Sequence, residues 1–476
     1  MIDIARPDTL WSAQEVATAT AARLQGVADW QAGGVSIDTR TIQRGDLFVA
    51  LHGTTDGHRF VRAALDKGAA AALVDRRPDD VPADAPLLLV ADTQAALEAL
   101  GRAGRARSQA RYVAVTGSVG KTSTKEALRH VLSAQAPTSA SAASYNNHIG
   151  VPLTLARVPH NARYAVIEIG TNHPGEIEPL ARLASPHVAI ITTVAAVHLE
   201  NFGSVDEIAR EKAAIMAGMN GGIAVLNRDN AYFDALCGYA RQYGVARIVS
   251  FGRHAQADMH LLDVRSADGG SQVRASYHDL EFAYGVGAPG EHWVLNSLAV
   301  LAAVDALGGD FVAAARALAT VAPPAGRGAR HRVALPDGSL ELIDESYNAS
   351  PTSMRAAFAV LGQATPGPGG RRIAVLGDML ELGPDSSALH AGLAGALREA
   401  RVDLTFTCGR LMENLHEALP TATRGVHAAD SAALLPFVSE AVRAGDVVTV
   451  KGSLGSKMKP IVDAILARSN GKGGQG

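Results

Sequence analysis

A glycine-rich segment that joins a strand-like run to a helix-like run carries the clearest chemistry in the chain. It spans residues 114–128 and reads AVTGSVGKTSTKEAL. Backbone N–H groups of such a loop, together with the start of the following helix, converge on phosphate oxygens. The lysine neutralises the β- and γ-phosphates, and the hydroxyl after it contacts Mg²⁺. The residues predicted to surround a nucleotide triphosphate are Gly117, Ser118, Val119, Gly120, Lys121, Thr122 and Ser123.

The match to the general phosphate-binding pattern is incomplete at one position. The pattern has a glycine five residues before Gly120, where this chain has Val115. An incidental glycine-rich turn is therefore the alternative, although the strand before it and the helix after it both fit the pattern. The motif alone does not say what is done with the phosphate.

Other polar residues are spaced so that they can lie around the same phosphates. Glu168 ends an apolar run, and the carboxyl ends of parallel strands are where ligand groups project; a carboxylate there can hold Mg²⁺. His198 also follows an apolar run, and Lys212 lies in a helix-like stretch. From spacing alone, an exposed acid, a packed histidine and a solvated lysine are the alternatives. The amides of Asn146 and Asn147 can contact phosphate or sugar, or they can simply form a turn.

These residues need a framework of parallel strands, and the chain has the pattern for one. Short apolar runs alternate with helix-like stretches, which is typical of βαβ units. The expected strands cover residues 47–51, 70–74, 112–116, 164–169, 188–194, 223–227, 247–251, 339–343, 373–376, 404–407 and 447–450. Residues 259–286 alternate and predict antiparallel strands. A buried helix is expected from Trp293, and residues 322–332 are expected to be a Pro/Gly-rich linker.

Composition narrows the class of protein. The chain has 476 residues, enough for two to four domains. Its net charge of −3 argues against a surface dominated by polyanion binding, so no nucleic-acid partner is expected. The two cysteines lack metal or redox spacing. No secretory signal and no apolar run long enough for membrane insertion are visible. We therefore expect a cytoplasmic protein with reduced thiols, and a monomer.

Several strings occur together in an order that is typical of one family. They are TGSVGKTS at 116–123, NNHIGVPLT at 146–154, HLENFGS at 198–204, EK at 211–212, GEHWVLNSLAV at 290–300, GR at 326–327, DESYNASP at 344–351, GDMLELG at 377–383 and KGS at 451–453. In these strings the chain resembles the Mur ligase family over nearly its whole length. The resemblance accounts for Val115, because the loop of this family lacks the first glycine.

The resemblance implies an α/β fold with three domains. Residues 1–88 would form a small α/β domain that binds the uridine diphosphate (UDP) of the substrate. Residues 89–325 would form the central P-loop domain with a parallel sheet, and residues 326–476 a Rossmann-like domain that closes the site. Two joints rich in glycine, after the helix near residues 93–105 and at residues 322–332, would permit this closure.

Two stretches indicate which members of the family the chain resembles. Residues 36–60 are similar to the UDP-binding domain of ligases that act late in the stem-peptide pathway. SYNASP, at 346–351, looks like the string of members that add D-alanyl-D-alanine, although Ser350 stands where the family often has asparagine. The implied reaction is ATP- and Mg²⁺-dependent ligation of D-alanyl-D-alanine to UDP-N-acetylmuramoyl-tripeptide through an acyl phosphate.

The resemblance also implies a role for each matching residue. Lys121, His198, Lys212 and Asn348 would be catalytic, with Lys212 at a position that is carbamylated in related ligases. Thr122 and Glu168 would hold one Mg²⁺ and His198 a second. Asn296 would contact adenine, and Arg327 and Asp344 would close the third domain over the nucleotide. Substrate would be bound by Ser36, Asp38, Thr39, Arg40, Asn146, Asn147, Tyr347 and Asn348; an Asp–Arg surface turn is the alternative for Asp38 and Arg40.

Other functions fit part of this pattern. A sibling ligase adding the third amino acid, or a folate polyglutamate-type ligase, would share the phosphate loop and the chemistry. A P-loop switch or motor would hydrolyse ATP without an acceptor and would not need a Rossmann-like third domain. A binding scaffold without catalysis is the least consistent with Lys121, Thr122, Glu168 and His198 occurring together.

Overall fold

The computed structural model of the chain describes residues 9–470 except residues 142 and 268. Across these described residues, the strands form a two-stranded, a five-stranded, a nine-stranded and a six-stranded sheet. The last three are called the N-terminal, central and C-terminal sheets. Most neighbouring strands in them are parallel, which confirms the α/β class expected from the alternating pattern.

The N-terminal sheet has the strand order β2-β7-β6-β5-β4, with only β2 antiparallel to its neighbour. Its strands and the small β1–β3 pair are β1 Trp11–Ser12, β2 Arg23–Gln25, β3 Gln31–Ala32, β4 Gly34–Ser36, β5 Asp46–Val49, β6 Ala71–Val74 and β7 Leu87–Leu89. The helices of this part are α1 Ala13–Thr20, α2 Val61–Asp66 and α3 Thr93–Arg107. The prediction of a glycine-rich joint after residue 105 is wrong. Small residues let α3 continue and pack against α5 of the central part, where there is no room for a Cβ at Gly104.

The central sheet has the strand order β16-β15-β14-β13-β12-β11-β8-β10-β9. Its strands are β8 Arg111–Thr116, β9 Thr138–Ala140, β10 Tyr164–Glu168, β11 Val188–Ile191, β12 Ile223–Asn227, β13 Arg247–Gly252, β14 Met259–Ala267, β15 Gly270–Tyr277 and β16 Leu280–Val286. Its helices are α4 Lys121–Ser133, α5 Gly150–Ala156, α6 Ile177–Ala184, α7 Leu199–Phe202, α8 Val205–Ala213, α9 Phe233–Gln242, α10 Glu291–Ala306 and α11 Phe311–Ala317.

Burial explains why this sheet is parallel at its centre and antiparallel at its edge. Every residue of β11 is buried, as expected for a strand covered by helices on both faces. β15 alternates between buried and exposed residues, and β14, β15 and β16 pair antiparallel, which confirms the prediction of antiparallel strands for residues 259–286. The predicted buried helix is α10; it begins at Glu291, slightly before Trp293.

The C-terminal sheet has the strand order β17-β18-β22-β19-β20-β21 and is parallel except for β17. Its strands are β17 Ala329–Leu335, β18 Gly338–Glu345, β19 Arg372–Gly377, β20 Leu404–Cys408, β21 Arg424–Ala428 and β22 Val447–Lys451. Its helices are α12 Pro351–Gln363, α13 Ser386–Ala391, α14 Ala394–Glu399, α15 Met412–Ala418, α16 Ser431–Ala441 and α17 Lys459–Ala467. The linker expected at residues 322–332 is wrong at its end, because residues from 329 onward pair with β18.

The N-terminal part packs on the central part through buried apolar side chains. Leu153 and Ala156 of α5 belong to the same core as Trp11 and the N-terminal strands. The Trp11 indole donates a hydrogen bond to the Ala156 carbonyl at 2.9 Å, and the Arg107 guanidinium lies 3.5 Å above the Trp11 ring. These contacts fix the N-terminal part beside the loop that precedes α5. None of the helices in the described part of the chain has the length and apolarity needed to cross a bilayer.

Candidate active site

The glycine-rich loop joins the carboxyl end of β8 to the start of α4. Gly117 and Gly120 have φ of +148° and +87°, so both adopt backbone conformations that side chains disfavour. A Cβ at Gly117 would overlap the hydroxyl of Thr192. That hydroxyl donates a hydrogen bond of 2.6 Å to the Val119 carbonyl and fixes the loop. The N-cap residue of α4, Gly120, has no side chain to cap the helix, so the first N–H groups of α4 are donors of the kind that an anion site uses.

Lys121 lies at the first position of α4 with its side chain folded along the loop. Its ammonium donates a hydrogen bond of 2.7 Å to the Gly117 carbonyl. Burial lowers the pKa of Lys121; the carboxylate of Glu168 opposes this effect and the guanidinium of Arg327 adds to it. Among the described residues, the hydrogen-bond partner of Lys121 is this one neutral carbonyl, a contact that can be exchanged for a phosphate oxygen.

Glu168, at the end of β10, is brought next to Thr122, as expected for adjacent parallel strands. Glu168 Oε1 accepts hydrogen bonds from the Thr122 hydroxyl at 3.1 Å and from the Asn146 amide at 2.8 Å. Glu168 is 1 % exposed, and its other oxygen, Oε2, has no hydrogen-bond partner within the described residues. A buried carboxylate oxygen without a donor is costly unless a cation binds it. Together with the Thr122 hydroxyl it is the oxygen set that Mg²⁺ prefers, so these residues fit the ion.

Ser144 connects this group to the C-terminal part, although it was not among the predicted site residues. Its hydroxyl lies 3.2 Å from that of Thr122 and accepts a hydrogen bond of 3.4 Å from Arg327. The Arg327 guanidinium also lies 4.2 Å above the ring of Tyr347. Asp344 is buried and accepts hydrogen bonds from the N–H groups of Gly326 and Ser346, so it orders the turns on which Arg327 and Tyr347 stand.

His198 meets a carboxylate that comes from the C-terminal part. Its Nδ1 lies 2.5 Å from Glu381 Oε2, in the loop that follows β19. Burial lowers the pKa of His198; the Glu381 carboxylate raises it, and the ammonium groups of Lys121 and Lys212 lower it further. Sequence analysis did not single out Glu381 as a site residue, although it lies within the string GDMLELG.

Lys212, on α8, is buried and close to Lys121. Burial and the charge of Lys121 hold the pKa of Lys212 well below its usual range. Within the described residues its ammonium makes no hydrogen bond or salt bridge. Its neighbour Glu211 accepts hydrogen bonds from the N–H groups of Gly175 and Ile177, and so fixes the start of α6. The solvated lysine considered from the sequence is therefore wrong, because α8 turns this side chain inward.

Two further predicted site residues are the asparagines Asn296 and Asn348. Asn296, on α10, is 8 % exposed and lies against the loop; a Cβ at Gly120 would be 3.0 Å from its Nδ2. Asn348 is exposed; its side-chain oxygen accepts the Ala349 N–H, and its backbone carbonyl accepts a hydrogen bond from Lys451. The buried Lys451 also pairs with Glu345 at 2.9 Å. Sequence analysis did not give Lys451 a role.

The residues predicted to bind UDP lie at the end of β4 and in the turn after it, in the N-terminal part. Ser36 is buried and donates a hydrogen bond to the backbone carbonyl of Asp38, and the next residue, Thr39, follows in the same turn. Arg40 chelates the Asp38 carboxylate, with its Nη2 2.6 Å from Oδ2, while 86 % of its side chain is exposed. The hydrogen bonds from Arg40 and its positive charge lower the pKa of Asp38. Without a ligand the two residues form an Asp–Arg turn at the surface, with Arg40 open to solvent.

Asn146 and Asn147 make different contacts. Asn146 reaches Glu168, whereas the side-chain oxygen of Asn147 accepts the N–H groups of Ile149 and Gly150 and orders the start of α5. A cavity of about 530 Å³ opens beside Asn147 and Gly170. It lies between α3, α5 and α6, so it extends from the Glu168 group toward the N-terminal part.

Three segments of the chain match protein-family descriptions. Residues 31–105 match "Mur ligase family, catalytic domain", residues 115–304 match "Mur ligase middle domain", and residues 331–454 match "Mur ligase, glutamate ligase domain".

Curated relatives and solved structures agree with these matches. UDP-N-acetylmuramoyl-tripeptide–D-alanyl-D-alanine ligase of Escherichia coli is 36% identical over 93% of this chain and 95% of its own, and that of Rickettsia prowazekii is 32% identical over 90% and 94%. A crystal structure of MurF from Acinetobacter baumannii is 30% identical with a TM-score of 0.82, covering 96% of this chain and 98% of that one. MurF of Thermotoga maritima in complex with ADP is 25% identical with a TM-score of 0.75, covering 92% and 98%.

Proposed function

The chain belongs to the Mur ligase family, and we propose that it joins D-alanyl-D-alanine to UDP-N-acetylmuramoyl-tripeptide at the expense of ATP, as a step of peptidoglycan synthesis. One observation carries the proposal. The loop at the start of α4 holds Lys121 and Thr122 beside a buried carboxylate, Glu168, with one oxygen unpaired. The relatives that match this chain over nearly its whole length are named for that activity. The similar MurF of Thermotoga maritima was solved in complex with ADP.

The reaction must activate a carboxylate, which is a poor electrophile at neutral pH. The terminal carboxylate of the tripeptide attacks the γ-phosphorus of ATP, the bond to the β-phosphate oxygen breaks, and ADP leaves. The neutral amine of the dipeptide then attacks the acyl phosphate through a tetrahedral intermediate. The carbon–oxygen bond to phosphate breaks, giving the amide and inorganic phosphate.

The loop supplies the electrostatic part of this catalysis. Its N–H groups and the Lys121 ammonium stabilise the charge on the transferring phosphoryl group. Arg327, which reaches Ser144 from the C-terminal part, places a second cation on the same side. Thr122 and Glu168 would hold Mg²⁺, which supplies positive charge to the phosphate oxygens when it is bound. His198 would hold a second ion.

Lys212 has two workable roles beside the phosphates. Its depressed pKa makes a larger fraction of the amine neutral, and a neutral amine is the form that reacts with carbon dioxide to give a carbamate. A carbamate would convert a buried cation into an oxygen ligand suited to Mg²⁺. An unmodified ammonium beside phosphate is the other role.

The remaining predicted residues divide between the substrates. Asn296, packed against Gly120, would contact adenine. Ser36, Asp38, Thr39 and Arg40 would bind UDP, with Arg40 exchanging its contact with Asp38 for phosphate. The cavity beside Asn147 would hold the peptide between the UDP-binding residues and Glu168. Asp344 would hold Arg327 over the nucleotide, and Tyr347 and Asn348 would line the side on which the dipeptide enters.

Domain boundaries, location and assembly are part of the same proposal. Residues 1–88, 89–325 and 326–476 would be the UDP-binding, ATP-binding and amine-receiving domains. The enzyme would act as a cytoplasmic monomer that needs neither nucleic acid nor insertion into a membrane. Through peptidoglycan it would serve cell-wall biogenesis, cell shape and cell division.

The experiment that tests this function is a product assay with competing amines. The chain is given ATP, Mg²⁺ and UDP-N-acetylmuramoyl-tripeptide with either D-alanyl-D-alanine or single amino acids. A parallel set offers the same amines with the UDP-linked dipeptide acceptor. We expect a mass increase only for the tripeptide with the dipeptide amine. Ligation of a single amino acid to the dipeptide acceptor would instead identify the sibling ligase.

A further inference from the structure

A second lysine on α4 lies one turn beyond Lys121 and is completely buried. Lys125 is 0 % exposed, and its ammonium donates hydrogen bonds to the backbone carbonyls of Ser141 at 2.8 Å and Ala143 at 3.4 Å. It also pairs with Glu126 at 2.6 Å, and Glu126 in turn pairs with Arg129. A buried ammonium is unfavourable unless its donors are used, and here two of them fix the chain that follows β9.

The segment that Lys125 holds leads directly into the candidate active site. Ser144 follows Ala143, and its hydroxyl lies 3.2 Å from Thr122 and accepts from Arg327. Asn146, two residues further, donates to Glu168. The start of α4 and the end of this segment therefore meet at the proposed metal and nucleotide site. Lys125, one helical turn further along α4, connects the helix to the segment by hydrogen bonds.

We propose that Lys125 is a positioning residue, which holds the backbone carbonyls of Ser141 and Ala143 so that Ser144 and Asn146 reach Thr122 and Glu168. Its charge acts on a backbone segment and does not touch the substrates. Residues that orient metal ligands typically change affinity or activity by about 10- to 100-fold when they are lost. This role rests on the proposed nucleotide site, so nucleotide binding is the quantity to measure.

The experiment compares two variants of neighbouring cations on α4. Lys125→Met keeps the length and apolar stem of the side chain but removes the donors to Ser141 and Ala143. Arg129→Met is the matched control, because it removes a half-exposed partner of Glu126 and leaves the donors in place. The dissociation constant of a non-hydrolysable ATP analogue is measured by calorimetry in the presence of Mg²⁺. We expect about 10- to 100-fold weaker binding for Lys125→Met and a change of no more than about twofold for Arg129→Met.

A double-mutant cycle with Ser144→Ala separates positioning from general destabilisation. If Lys125 acts by placing Ser144, the loss caused by Ser144→Ala is smaller in the Lys125→Met background than in the parent. If the two residues act independently, their losses multiply, and that result would overturn the inference. Unchanged binding by Lys125→Met would overturn it as well.

Two controls keep the test decisive. Thermal melting shows whether Lys125→Met is folded; if it is not, Lys125→Leu, which also removes the donors to Ser141 and Ala143, takes its place under the same criteria. The parent protein is measured first. Failure of the parent to bind the analogue would contradict the proposed function itself, whereas equal binding by parent and variant would contradict only the role of Lys125.

Discussion

Nδ1 of His198, in the central part, lies 2.5 Å from Oε2 of Glu381, in the C-terminal part, and this contact joins the two parts across the candidate active site. Gly383, in the same loop as Glu381, lies beside Leu199 and Glu200 of α7. The Arg327–Ser144 contact is a second link between the same two parts. The arrangement is therefore a closed one, in which an acyl phosphate would be kept from water.

Removing the carboxylate of Glu381 should weaken this closed arrangement. In Glu381→Ala we expect a larger radius of gyration in small-angle scattering and a loss of about two- to fivefold in kcat/KM, since a half-exposed ion pair contributes little more than that. Asp385→Ala, in the same loop and also exposed, is the matched control and should change neither quantity. An unchanged radius of gyration in Glu381→Ala, with and without substrates, would show that the pair does not hold the two parts together.

The phosphate loop should not tolerate a side chain at Gly117. A Cβ there overlaps the Thr192 hydroxyl, so Gly117→Ala must displace the group that fixes the Val119 carbonyl. We expect binding of an ATP analogue to weaken on the order of 10- to 100-fold, because small misplacements of catalytic groups have effects of that size.

Gly244→Ala controls for backbone strain in this measurement. Gly244 has φ of +70°, but a Cβ there meets no atom within 4 Å. Its substitution should lower thermal stability by about 1–2 kcal/mol while leaving nucleotide binding unchanged. Equal binding by the Gly117→Ala variant and the parent would contradict the role of this loop.

Lys212 should reduce stability in a pH-dependent way. Its folded-state pKa lies below the ordinary value of 10.5, so between the two values the unfolded chain binds a proton that the folded chain does not. The cost to the folded state is full below the folded pKa, shrinks as pH rises through this window, and vanishes above the ordinary value. Lys212→Met should therefore raise Tm more as the pH is lowered from 10.5, by about 2–4 °C for each kcal/mol, and least near pH 10.

Lys457, which is exposed, provides the comparison for this prediction. Lys457→Met should leave Tm unchanged at every pH, and it should keep ligase activity, whereas Lys212→Met should lose it. A Tm gain in Lys212→Met that does not depend on pH would mean that the ammonium is not the source of the cost. Intact-mass measurement of the parent in bicarbonate would show whether the amine carries carbon dioxide.

Local sequence signals were sufficient for the parts of the site that follow single strands. The glycine-rich loop was predicted from its glycines, lysine and threonine between a strand and a helix, and Glu168 from its place at the carboxyl end of a strand; Thr122 and Glu168 are indeed in contact. The alternation in residues 259–286 likewise predicted antiparallel strands. In each of these cases the spacing of neighbouring residues contains the information.

Contacts between distant segments could not be predicted in this way. Ser144 is 183 residues from Arg327, and Glu381 is 183 residues from His198, so only packing of the two parts brings them together. Asn147 and Asn146 are equivalent by type and spacing, yet the first orders α5 and the second reaches Glu168. The orientation of one turn decides between them, and nothing in the string NNHIG specifies it.

The most direct measurement is phosphate release from ATP and Mg²⁺ by the chain with UDP-N-acetylmuramoyl-tripeptide, in the presence and absence of D-alanyl-D-alanine, repeated on Lys121→Ala. We expect release that depends on the dipeptide and falls by several orders of magnitude in the variant, because the proposed role of this ammonium is to stabilise the transferring phosphoryl group. Release that is equally fast without the dipeptide, or that continues at the parent rate in Lys121→Ala, would contradict the assignment of this loop to ATP-dependent ligation.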